Sequence, residues 1–140
     1  MPGSNEKNVE KWEKSPATVS FADELTNDCP PAIATPATGT FYAAHRVSPP
    51  DRLDFTTAAS RDVFRSGNEC KRRGNSIVAS VDDARHLCRA HPDSYAYVSE
   101  GVLTNAHGML VRDETRKLPS HHTLWRLSGV TMHSIFTKVV

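Results

Sequence analysis

No stretch of this 140-residue chain approaches the roughly 20 consecutive apolar residues needed to span a bilayer, and no basic segment followed by an apolar run opens it. A soluble, cytoplasmic protein without a membrane partner is the expectation. Phosphate-cradling glycine loops are missing, since neither G-x-x-x-x-G-K nor G-x-G-x-x-G occurs, which sets aside ordinary nucleotide kinases and dinucleotide dehydrogenases. G-x-S-x-G is missing as well, so a serine hydrolase has no support. The three cysteines, Cys29, Cys70 and Cys88, are few, odd in number and far apart, which argues against a disulfide framework and for a reducing compartment. Cys88 and His91 lie three apart with His86 upstream, but no second ligand pair accompanies them, so no metal is expected. Aromatic residues make up only 7% of the chain while prolines number nine, so part of it should stay unpacked.

Charge divides the chain unevenly. Residues 1–39 hold three Lys against six acids, a net charge of −3, leaving fourteen basic and ten acidic residues, or +4, for the rest. The first part reads as a flexible acidic arm ending in the uncharged, proline-containing linker CPPAIATPATGT, and residues 40–140 as a single domain. The arm suits a protein partner. The basic excess is too small for a dedicated nucleic-acid binder, and any such contact would fall to Lys71, Arg72 and Arg73 in the NECKRR stretch, read as a loop.

Within the domain the best-formed piece is GNSIVASVDDARHLCRAHP. It predicts a buried strand, then a helix with Ser80 as N-cap and Asp83 as its N3 partner, then a stop at Pro92. Cys88 falls on that helix's apolar face, where an inert thiol is expected. A strand over 40–47 is predicted to alternate Phe41, Ala43, His45 and Val47 against Tyr42, Ala44 and Arg46. A helical turn follows at 51–55, a short helix at 60–66, and strands at 94–103, 109–111, 121–127 and 132–140, the last by its period of two. Two or three short helices with several consecutive strands make this an α+β domain on a mostly antiparallel or mixed sheet.

Seven histidines are an excess for this length, and imidazole is the side chain best placed to act near neutral pH. His121 and His122 stand beside Trp125 in a strand, so they face opposite sides and at most one looks into a given cleft.

The order FYAAHRV, then Pro49-Pro50, then DVFRSG, then NSIVAS with its two serines, and finally HHTLW, resembles the ADP-ribosyltransferase-like superfamily over about residues 39–140. The resemblance implies a split, mostly antiparallel sheet gripping NAD, in a toxin or effector module. It assigns cofactor contact to Tyr42, His45, Arg46 and Ser76, with His122 approaching from the closing strands and Glu100 as the candidate carboxylate. Such a site must hold a pyrophosphate with cations and face a ribose developing positive charge with an acceptor. The chain departs from the family pattern. Ala43 stands where the first-strand cation is usual, Ser76-Ile77-Val78 replaces a serine-threonine-serine run, and Glu100 lacks a partnering Glu or Gln two residues away. A fold kept without activity therefore stands beside the enzyme, as does a non-catalytic binding module of the immunity, antitoxin or adaptor kind.

Overall fold

The computed structural model describes residues 20–23, 25, 28–58 and 69–140. The helix expected over 60–66 and the first nineteen residues of the arm lie outside that range. Among the described residues seven strands form one sheet: β1 (Thr35–Pro36), β2 (Gly39–His45), β3 (Asn75–Val78), β4 (Tyr97–Leu103), β5 (Gly108–Arg112), β6 (His121–Arg126) and β7 (Lys138–Val139). Their order is β1-β5-β6-β3-β2-β4-β7, and every neighbouring pair is antiparallel. Among the described residues two helices, α1 (Glu69–Arg72) and α2 (Val81–Ala90), and 3₁₀ turns at Arg52–Phe55 and Met132–Ser134 accompany the sheet in an α+β fold. No helix among the described residues is long and apolar enough to cross a membrane.

Period-two alternation sorts the sheet into two faces. Phe41, Ala43, Ile77, Leu103, Leu110 and Leu124 face one way and pack with Ala37, Phe55, Met132 and Phe136 into the main core. The opposite face carries Val78 and Val98, which α2 covers through Ala84, with Tyr42, Val81 and Cys88 partly buried around them. The Ser80 half of the α2 cap is the one its sequence signals, Ser80 Oγ accepting from the Asp83 backbone N at 3.3 Å, but the Asp83 side chain does not close the box back onto Ser80. Asp83 also accepts from the Ser120 hydroxyl at 2.6 Å, while that same hydroxyl oxygen accepts from Ala79 N and Ser80 N. The helix start is thereby fastened to the β5–β6 connection.

Four expectations need correction. Cys29 and Cys70 form a disulfide across a separation of 41 residues, so two of the three cysteines are paired. The proline-containing segment is tied into the domain: its residues form β1 against β5, and Ala37 is fully buried. Further upstream, Phe21 bridges Leu127, and Ser128 N donates to Ser20 O at 2.8 Å. Glu69–Arg72 of the NECKRR stretch is helical rather than a loop, and Glu69 pairs with Arg72 at 2.7 Å and Arg73 at 2.9 Å, the i,i+3 and i,i+4 spacings of one helix face. The chain end is not one strand. Met132 and Phe136 are both buried, four residues apart, and Phe136 N donates to Met132 O, so a turn of helix replaces the alternation until β7.

Candidate functional site

The ladders flanking the sheet centre run for four to seven residue pairs, but β2 and β3 meet at one, Tyr42↔Val78. Continuing the antiparallel register would set Ala43 opposite Ile77 and Ala44 opposite Ser76. Those pairs are not made, and the strands part there. Ala43, Ala44 and Arg46 on one side and Asn75, Ser76 and Ile77 on the other line a cleft of about 690 Å³, within the usual range for small-ligand sites. The 3₁₀ turn with Phe55, the end of α1 with Lys71, α2 with Leu87, the segment after it with Asp93 and Tyr95, and the β5–β6 connection with Asp113 supply the remaining walls.

Of the residues singled out in the sequence, Tyr42, Arg46 and Ser76 line this cleft together. Arg46 is heavily engaged there. Its Nε donates to Asp54 Oδ1 at 2.9 Å, its Nη2 to Asp51 at 3.0 Å, and its backbone N to Asp54 Oδ1 at 2.9 Å. Asp54 Oδ2 accepts from Asp51 N while Asp51 accepts from Leu53 N, a capping box that fixes the turn after Pro50.

The other three lie elsewhere. His45 is fully buried on the main-core face, donating from Nδ1 to Val47 O at 2.6 Å and holding Ser99 Oγ at 2.7 Å through Nε2. Glu100 sits across from Tyr42 on β4, outside the cleft lining, with its carboxylate 3.8 Å from Lys138 Nζ. His122 pairs with Ile77 and so shares the main-core face, its ring edge-on to Phe41 at 5.1 Å and its Nδ1 donating to Ser120 O. The parity argument holds for the pair: His121, not His122, lines the cleft.

Sequence reasoning missed Asp113 and Asn75 as cleft residues, chose His122 over His121, and gave Lys71 only to a nucleic-acid contact. Lys71 Nζ is 2.8 Å from Asp113 Oδ2, Thr123 Oγ1 donates to that same oxygen at 3.3 Å, and His121 Nδ1 donates to the Asp113 carbonyl at 2.9 Å. The end of α1 is clamped from behind by Trp125, whose Nε1 donates to Cys70 O at 2.9 Å. A Cβ at Gly74 would collide with Thr123, so only glycine lets the chain pass between α1 and β6 at this point.

Burial pushes the Asp113 carboxyl up, but the hydrogen bond and charge of Lys71, then His121 and Thr123, outweigh it and hold the group below its ordinary value of 3.8. A carboxyl depressed in the folded state stabilises fully above its unfolded value. That contribution is lost as pH falls below 3.8 through the lower folded value. Acid titration followed by circular dichroism should show Asp113→Asn with a shallower loss of stability below pH 3.8 than the parent. Superimposable acid limbs would remove Asp113 from the account.

Cys88 is the free thiol; burial raises its pKa, opposed by the nearby Arg89 charge, which suits an unreactive group. Among the described residues no group of three or more His, Cys, Asp or Glu is placed to hold a metal ion. No family model, curated protein or solved structure matches this chain.

Proposed function

We propose that this is an ADP-ribosyltransferase-like domain that binds NAD in the cleft between β2 and β3 with little or no turnover. The observation that carries the reading is the parting of the two central strands after Tyr42↔Val78, with Tyr42, Arg46 and Ser76 on the walls it opens. Tyr42 and Tyr95 offer aromatic surface for a planar ring, and Ser76 a hydroxyl for a ribose or amide. Opposing turnover is the acid inventory. The described cleft wall has no Glu, and of its three aspartates Asp54 caps the 3₁₀ turn, Asp113 holds Lys71 and Asp93 lies exposed in the turn after α2. The same observation favours the second reading, a non-catalytic binding module that acts through protein contacts.

A cytoplasmic setting sits badly with the Cys29–Cys70 bridge, because glutathione and thioredoxin systems keep cytosolic thiols reduced. An effector working in an oxidising compartment fits the bridge.

Titration calorimetry with NAD, run beside an assay for released nicotinamide, is expected to give saturable binding without sustained release. Ser76→Trp, which fills the cleft from an exposed position, should abolish the heat while leaving the melting temperature within a few degrees. Absence of saturable binding by the parent would leave the protein-binding module in possession, and steady release would make the domain an enzyme.

A further inference from the structure

Asn75 stands on the margin of the split, at the start of β3, and lines the cleft although it is only 5% exposed. Its Nδ2 donates to Phe55 O at 2.7 Å. A carbonyl oxygen can only accept, so this bond fixes which amide atom is nitrogen and which is oxygen. Oδ1 is thereby left shielded from bulk water with no hydrogen-bond partner. Native interiors leave few acceptors in that state, and those they leave call for an explanation.

The charges around it narrow the answer. The described cleft wall carries Arg46 and Lys71 against Asp54, Asp93 and Asp113, and both cations already sit on carboxylates. An uncharged donor reaching Asn75 displaces none of these ion pairs.

We infer that Asn75 reads the ligand: its Oδ1 accepts a hydrogen from an uncharged, flat N–H donor, a carboxamide or a ring amino group, lodged in the split between β2 and β3. This rests on the cleft being the ligand site proposed above, but not on the ligand being NAD.

Two matched pairs of probes test it, nicotinamide against 3-acetylpyridine and adenosine against purine riboside, each differing in the amino group. Calorimetry with the whole chain is expected to show that at least one amino-bearing member binds about tenfold more tightly than its partner, the size of one neutral hydrogen bond. In Asn75→Leu the two members of that pair should bind alike. The probe preference of the parent protein is a second readout that does not depend on the variant folding. Equal affinities within both pairs in the parent, a preference that survives in Asn75→Leu, or no binding of any probe at millimolar concentration would each overturn the inference and leave Oδ1 to a buried water. The two readings fail separately: NAD bound equally by parent and Asn75→Leu sinks this one, while discrimination between the small probes without NAD binding sinks the cofactor reading alone.

Discussion

Reducing the Cys29–Cys70 bridge, or replacing both cysteines with serine, is expected to lower the unfolding free energy by about 4 kcal/mol. Closing a loop over a separation of 41 residues removes that much chain entropy from the unfolded state on the polymer estimate. Set against a total of about 5–15 kcal/mol for a domain, this is a large share. The bridge joins the proline-containing segment ahead of β1 to α1, and neither piece holds itself: α1 is one turn long, and β1 has two residues. Denaturant titrations of oxidised and reduced protein would measure the difference. Thiol counting should give one slow group before reduction and three after, because Cys88 is partly buried with its pKa raised. A reduced protein within about 1 kcal/mol of the oxidised one would show that Trp125 and the Glu69 ion pairs hold α1 unaided.

The consequence reaches the cleft because Lys71 is the residue after Cys70. Its side chain holds the carboxylate of Asp113, the residue whose backbone carbonyl accepts from His121 Nδ1. The bridge, the Trp125 hydrogen bond and the Lys71 ion pair therefore act along one line from the chain's proline-containing segment to the cleft wall. Loss of the bridge should weaken ligand binding as well as stability.

Much of this fold was legible because its determinants are local. The β3–α2 unit announces itself through Ser80, Asp83 and the spacing of Ala84 and Cys88, and the sequence predicts a helical turn over 51–55, where the 3₁₀ turn stands. The α1 helix also carried a local sign in Glu69, three and four residues before Arg72 and Arg73, which the run of cations in NECKRR obscured. The disulfide had no such sign, since a separation of 41 residues says nothing about the 5.5 Å between its Cα atoms. For the site, the alternation in FYAAHRV put Tyr42 and Arg46 on one side, and they do share the cleft with Ser76. Which of His121 and His122 joins them depends on strand register. A shift of one residue exchanges the two, and sequence periodicity alone is blind to it. Asn75, Lys71 and Asp113 come together only through packing between distant segments.

Phe136→Ala is expected to cost about 3–5 kcal/mol, the range for deleting a fully buried aromatic side chain. Its ring is stacked on Phe55 with centroids 5.6 Å apart and presses on the backbone at Gly101, where an added Cβ would come within 2.9 Å of it. The segment therefore closes the main core over the middle of β4, which is why the chain turns helically after Thr131 instead of continuing as a strand. Collapse into the space left behind is resisted on both sides by sheet backbone and by the capped 3₁₀ turn, so the penalty should sit in the upper part of that range. Phe55 also supplies the carbonyl that fixes the Asn75 amide, so loosening its ring should blunt discrimination between nicotinamide and 3-acetylpyridine in whatever fraction remains folded. Phe136→Leu, which keeps most of the volume, should restore much of the stability and should separate the two effects. Recovered stability with discrimination still lost would tie the cleft to the aromatic pair itself. Recovery of both would mean that Phe136 acts by filling space.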